Sequence, residues 1–559
     1  MSGGPGETGG APSGRYRQEN AGGVVYAVQN GNQYINTGEP PYRLEGFPLD
    51  PPVVPAAARQ APSRLLNARY RVVPFAGRGA QRDELGTWRD GVSAGPAVRL
   101  LHGPGGQGKT RLAAQFAADS AADGWTIWTA RQTTGQPVSP GGLPELTGHG
   151  IMIIVDYAER WRIDHLLKLI GTDMRLRRPE PVRVLLLARP AGAWWESLAY
   201  QLVNLDGLDV EVSDQSLTPL ADTGAERAEM FTVARDRFAA LLGVDDPDSV
   251  PVPSSLDRDD AYRLMLTVHM AALAAVDAHR RDVAGPRDPD SLSKYLLQRE
   301  RVHWEKLHDK PSESEKVKTS PTVMGRAVFT ATLTRPLGYD TAVGVLGRIG
   351  VASTVEIAGQ VIVDHAVCYP PEDPATVLEP LYPDRLGEDF LARSVPGTTG
   401  DGSANPDPWA DDVIGRLLVS PDGALPASYT GPCMTVLVET ARRWPHMARR
   451  LVDLLREHPG LALAAGGASL TALATLDTID FDVLEAVEQQ FPDGRHIDLD
   501  VGIAAVTARL HDYRIARTND PTEHARLHAL LSTRLHHAAR LEEALTAAEK
   551  AVSVYRVLV

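Results

Sequence analysis

Three short, nearly unbroken apolar runs stand out from the polar and glycine-rich stretches around them: Val98-Arg99-Leu100-Leu101-His102, Ile151-Met152-Ile153-Ile154-Val155 and Val184-Leu185-Leu186-Leu187-Ala188. Runs of this length bounded by breakers predict strands buried on both faces, the pattern of a parallel sheet. Downstream the period changes. Met230, Phe231, Ala234 and Phe238 fall on one helical face, and apolar helices are predicted over Leu264–Val276 and Leu292–Leu307. From about Pro321 to Pro396 helices are expected to alternate with short strands at Val328–Leu333, Thr341–Ile349 and Gly359–Asp364, and an alanine- and leucine-rich helical tail follows. Near the start, Val24–Gln29 and Asn32–Thr37 flank Asn30-Gly31, a hairpin signal because both turn residues tolerate positive φ. The pattern predicts a multidomain α/β plus α chain.

The first apolar run leads into Gly103-Pro104-Gly105-Gly106-Gln107-Gly108-Lys109-Thr110, which satisfies GxxxxGK[ST], and a helical stretch, Arg111–Phe116, follows it. Strand, glycine loop and helix form the context in which this octet wraps phosphates. Gly103, Gly105, Gly106 and Gly108, with Gln107 between them, allow successive backbone N–H groups to point inward. Lys109 would reach the β and γ oxygens, and Thr110 would be a Mg²⁺ ligand beside the positive end of the helix. A chance match in a glycine-rich chain is the bland alternative. Two further strand ends argue against it: the second run stops at Asp156, placed to hold Mg²⁺ through water, and the third at Arg189, placed to face a γ-phosphate.

Composition narrows the class. The 559 residues exceed what one core serves, so three or four domains are expected. Only Cys368 and Cys433 occur, which argues against a disulfide framework or a cysteine-rich zinc site. With neither a signal-like start nor an apolar run long enough to span a bilayer, the expectation is a cytoplasmic chain with no membrane partner. A net charge of −14 makes nucleic acid an unfavourable partner. The basic cluster Arg175-Leu176-Arg177-Arg178 reads as a helix end. The pairs His303/His308 and His524/His528 read as structural, since neither finds a third metal ligand at sensible spacing.

Upstream of the glycine loop, Val73-Pro74-Phe75-Ala76-Gly77-Arg78 and the helix from Gln81 to Trp88 resemble the lead-in of the STAND class of signalling NTPases, which includes the NB-ARC and NACHT proteins. The resemblance implies that Ala76 and Phe75 give apolar contacts to an adenine and that Arg78 gives a polar one. Val155–Arg160 resembles the class's Walker B element, Leu187-Ala188-Arg189 its first sensor, and Leu217-Thr218-Pro219-Leu220 the element that introduces a helical lid. Where many active P-loop ATPases carry a second acid directly after the Walker B aspartate, this chain has Tyr157, with Glu159 as the next acid. Either Glu159 substitutes as the catalytic base or hydrolysis is slow. The final segment, with Leu535, Ala539, Ala544, Ala548 and Ala551, resembles a tetratricopeptide repeat.

Composition and turn chemistry imply a disordered leader over 1–21 and an uncharged hairpin and proline-rich linker over 22–63, and the likenesses imply a P-loop domain over 64–215 and a helical lid over 216–318. A winged-helix-like domain over 319–397 and a helical-repeat region over 398–559 complete the expectation. The resemblance further implies a slow, Mg²⁺-dependent ATPase acting as an ATP/ADP switch in bacterial defence or regulation. Its repeats would sense a ligand or protein partner, and its output would be a nucleotide-dependent homo-oligomer. The segment 24–37 would either template assembly, in the style of amyloid-signalling motifs, or pack as a simple hairpin. Two other readings are an NTPase-containing transcriptional regulator and a continuously cycling ATPase.

Overall fold

The computed structural model describes residues 16–20, 23–27, 34–36, 41–93, 95–132, 149–173, 181–189, 191–205, 207–310, 316–397, 406–419 and 429–558. A small antiparallel sheet comes first: β1 (Tyr16–Asn20), β2 (Gly23–Ala27) and β3 (Tyr34–Asn36). β2 and β3 pair antiparallel, Val24 with Asn36 and Tyr26 with Tyr34. β1 occupies part of the leader expected to be disordered. Asn30-Gly31, the cluster at 175–178 and the linker from 398 lie outside the described residues.

The main sheet has six strands in the order β4-β6-β7-β8-β5-β9. They are β4 (Tyr42–Gly46), β5 (Ala97–His102), β6 (Thr126–Gln132), β7 (Ile151–Val155), β8 (Val182–Ala188) and β9 (Glu211–Ser216). All neighbours are parallel except β4, which runs antiparallel to β6 along one edge. Alternating side chains feed two cores. Leu101, Met152, Ile154 and Leu185 meet α1 (Gly79–Asp90) and α2 (Lys109–Ala122) on one face. Leu100, Ile153, Val155 and Leu186 meet α3 (Ile163–Leu167) and α4 (Gly192–Val203) on the other. Burial on both faces explains why β7 and β8 read as continuous apolar runs. The edge strand β4 was hidden inside what reads as a proline-rich linker.

Helices α5 (Gly224–Leu242), α6 (Met265–Arg280) and α7 (Pro289–His308) form the expected helical layer, and a Thr223/Glu226 capping box opens α5. Its core also takes in Ala58, Leu65, Leu66, Tyr70, Val72 and Val73. Ala58 from the proline-rich linker, and residues 65–73 that the sequence places with the P-loop domain, thus pack on these helices.

The stretch expected to mix helices with short strands is helical throughout: α8 (Pro321–Thr334), α9 (Tyr339–Arg348), α10 (Val355–Cys368) and α11 (Asp384–Ser394). The predicted strands at 328–333, 341–349 and 359–364 lie within α8, α9 and α10, extending one residue past the end of α9, and only the isolated bridge between Leu337 and Val377 has β character there. The reason is packing: α8 is enclosed on nearly every side, so its run from Ala327 to Thr334 is continuously buried and loses the helical period a half-exposed helix shows. Side-chain caps at Ser320 and Thr354 fix the starts of α8 and α10.

The tail comprises α12 (Trp409–Leu418), α13 (Thr430–Ala441), α14 (Pro445–Glu457), α15 (Leu461–Ala464), α16 (Gly466–Ala474), α17 (Phe481–Glu488), α18 (Asp500–Ile515), α19 (Pro521–His537) and α20 (Leu541–Leu558). One hydrophobic core runs from Ala327 in α8 to Leu510 in α18, so packing draws no boundary near residue 397. In the last hairpin, Leu535, Ala538, Ala544 and Ala547 pack on Ala504, whereas Ala539 sits in the turn at φ 63° and Ala548 is half-buried. No helix among the described residues is long and apolar enough to cross a membrane.

The α16–α18 contact is close enough to test. A Cβ on Gly467 would lie 2.2 Å from the Asp498 carbonyl oxygen. Gly467→Ala is therefore expected to destabilise the protein by about 1–3 kcal/mol in a denaturant titration.

Candidate functional site

The parallel strands end at one edge of the sheet, where the loops after β5, β7 and β8 converge. β8 lies between the other two, so the P-loop and Asp156 face each other across the strand that carries Arg189. Crevices beyond the carboxyl ends of such strands are where open α/β sheets bind ligands. A cavity of about 2350 Å³ opens here, and its walls include Ala76, Arg78, the whole loop from Gly103 to Thr110, Asp156, Glu159 and Arg189.

The loop has the backbone its glycines permit. Gly106 and Gly108 both stand at φ 87°, and a Cβ on Gly106 would come within 3.0 Å of Leu266 Cβ from α6. Lys109 Nζ donates to the carbonyl oxygens of Gly103 at 2.7 Å and Pro104 at 3.1 Å. Burial pulls its pKa down to about 8, against the raising influence of Glu159 and Asp156. Thr110 Oγ1 donates to Asp156 Oδ2 at 3.0 Å, and Asp156 Oδ1 accepts from Tyr157 N at 2.9 Å. A hydroxyl and a carboxylate in contact offer the hard oxygen donors that Mg²⁺ takes in P-loop sites. No cluster of three or more His, Cys, Asp or Glu among the described residues could hold a metal by itself.

Glu159 shares the cavity with Lys109, and burial raises its pKa, as it does that of Asp156. Its Oε2 is buried without a hydrogen-bond partner. Arg78 is buried in a left-handed turn at φ 62°, with Nη2 donating to Gln107 O at 3.3 Å, so it braces the loop from behind. Burial lowers its pKa. The helical layer closes the other side: Leu266 N donates to Gly106 O at 3.1 Å, and Leu220 lies against Gly77.

Arg189 is where the structure departs from the sequence expectation. Its guanidinium lies by the loop, with Nε 3.5 Å from where a Gly105 Cβ would be, and its backbone oxygen accepts from Gly103 N at 2.6 Å. The guanidinium is not free to face the cavity alone. It pairs with Glu439 at 2.8 Å, Glu388 at 2.9 Å and Asp384 at 3.1 Å. Asp384, its side chain only 9% exposed, also receives Arg160 at 2.9 Å and Arg335 at 3.2 Å. Burial alone would raise the Asp384 pKa; the guanidinium groups of Arg335, Arg160 and Arg189 overcome this and hold it far below the carboxylate range. None of the four partners Asp384, Glu388, Glu439 and Arg335 was singled out from sequence as a site residue. The signal available in the sequence is the density of charge between Leu378 and Phe390.

The histidine pairs keep structural surroundings. His303 is buried, His308 faces Val317 O at 3.1 Å and His524 faces Thr518 O at 2.8 Å, while His528 lies against His511 at 2.9 Å rather than beside His524.

No family model matches the chain, and no curated protein matches it. Among solved structures, the Aeropyrum pernix ORC2 protein in its ADPNP-ADP complexes is similar at 15% identity, covering 54% of this chain and 85% of that one, with a TM-score of 0.28. That likeness is too loose to bear on fold or chemistry.

The depressed Lys109 pKa sets a stability test. Because the folded chain disfavours the ammonium, Lys109 costs stability below about pH 8, and the cost fades as pH rises toward the ordinary lysine value of 10.5. Lys109→Met is expected to stabilise the nucleotide-free protein at pH 7 by about 1–2 kcal/mol in urea melts, with the gain gone above pH 10.5.

Proposed function

We propose that this chain is a nucleoside-triphosphate-binding molecular switch of the STAND type that takes ATP or ADP with Mg²⁺ and hydrolyses slowly. The observation that carries the reading is the meeting of Lys109, Thr110, Asp156 and Glu159 at the sheet edge, around a glycine loop whose backbone leaves room for phosphates.

The residues divide the work. Backbone N–H groups from Gly105 to Thr110, with the start of α2, would cradle the phosphates, and Lys109 would leave its own carbonyls for phosphate oxygens. Thr110 and Asp156 would hold Mg²⁺, which neutralises charge between the phosphates. Ala76, Leu220 and Leu266 would give apolar contacts to the base, with Arg78 fixing the loop behind it. Glu159, two positions beyond the usual second acid, is the group best placed to orient a water, and its raised pKa leaves it a less constantly ionised base. Slow turnover suits a chain that must hold one nucleotide state long enough to signal. The helical tail would serve as the sensing surface for a protein partner and assembly into a homo-oligomer as the output, because the tail reaches the site through Glu439.

Equilibrium titration with ATP and ADP tests the core of this reading. Lys109→Ala is expected to weaken both nucleotides at least about a hundredfold, since it removes a charge-assisted phosphate contact, and Asp156→Ala to weaken them only when Mg²⁺ is present. Light scattering should show a particle mass that changes between ATP and ADP; equal masses would remove the switch and leave simple binding. Phosphates should restore the Lys109 proton, so affinity is expected to be flat below pH 8 and to fall above it by up to about tenfold per pH unit.

A further inference from the structure

The acidic face of α11 is the meeting point of every large unit. Asp384 and Glu388, four positions apart, lie on one side of the helix, and Asp389 lies on the adjoining face. Asp384 takes Arg160 and Arg189 from the sheet unit and Arg335 from the segment after α8; Glu388 takes Arg189 and Arg443. Asp389 takes Arg443 at 2.7 Å, Trp444 Nε1 at 3.1 Å and the Ser293 hydroxyl of α7. Three guanidinium groups converging on one carboxylate form a seat for a small, highly charged anion. That seat lies against the P-loop, because the Arg189 guanidinium touches both Asp384 and the surroundings of Gly105.

From this geometry we infer that Arg160, Arg189 and Arg335 form an anion site that Asp384 fills from within the chain, and that the terminal phosphate of a nucleoside triphosphate competes with Asp384 for Arg189. The inference rests on the nucleotide reading of the P-loop.

The competition follows from charge and donor geometry. Nη2 of Arg189 serves Asp384 and Glu388 while Nη1 serves Glu439, so a phosphate entering from Gly105 must draw the guanidinium away from carboxylates. The Asp384 charge is also felt at Lys109, so a third phosphate held by Lys109 and the Asp384 carboxylate repel each other across the site. A diphosphate, which ends sooner, meets little of this. Asp384 thus lowers affinity for triphosphate more than for diphosphate. Glu439, on α13, transmits the same preference to the tail: whatever shifts α13 changes how firmly Arg189 is held.

The test uses the full chain with Mg²⁺ and measures the ratio of ATP to ADP affinity for wild type, Asp384→Asn, Glu439→Gln and the exposed control Glu457→Gln, with circular dichroism to verify folding. Asp384→Asn keeps the shape and removes the charge; the expected result is a shift of the ratio toward ATP of at least tenfold. Glu439→Gln, which loosens one of three partners of Arg189, should move the ratio in the same direction by threefold or more, and it carries the test if Asp384→Asn does not fold. Glu457→Gln should match wild type. An unchanged ratio in the folded variants, or equal gains for both nucleotides, overturns the inference while leaving nucleotide binding intact. Failure of wild type to bind either nucleotide, or binding indifferent to Lys109→Ala, overturns the P-loop reading and the inference with it.

Discussion

One buried carboxylate holds the architecture in register. Asp384 sits among three arginines drawn from separate parts of the chain, and its helix neighbours Glu388 and Asp389 extend the network to α7 and to the α13–α14 turn. Such a network is a poor source of net stability, because each ion gives up its hydration on burial, and a strong source of uniqueness, because misplacing one partner strands the others. The hydrophobic cores on either side explain why the units are folded. The ion network ties them together at this face, beside the apolar contact that Val501 of α18 makes with the sheet's own core.

How much of this was legible in the sequence depends on whether a feature is local. The P-loop, the acid at the end of β7 and the strand leading to Arg189 were all readable, because strand burial and glycine spacing are written within short windows. What could not be read was anything set by distant partners. α8 looked like a strand because its enclosure erased the helical period, β4 was masked by flanking prolines, and Ala58 in the proline-rich linker and residues 65–73 pack on a surface that only the distant helices α5, α6 and α7 supply. Arg189 illustrates the same limit at the site: its strand end was predictable, but its three acidic neighbours lie 195 to 250 residues further on.

The contact between α6 and the P-loop is governed by backbone as much as by side chains. Leu266 reaches the P-loop through a main-chain hydrogen bond to Gly106, and the space it fills is the space a Cβ on that residue would need. Glycine at this position therefore serves two purposes: it lets the loop turn with its amides inward, and it lets α6 approach. A loop that moved to grip a ligand would move the first turn of α6 with it.

The core from Ala327 to Leu510 joins α8 through α18 by continuous packing, with the α19–α20 hairpin held on Ala504 by a small core of its own. That core crosses the expected boundary around residue 397 and includes Leu391 of α11 and Leu437 of α13. The tail therefore bears on the sheet unit at two separate points, through Val501 of α18 in the core beneath α4 and through Glu439 on Arg189, so a displacement at the first reaches the second through packed side chains.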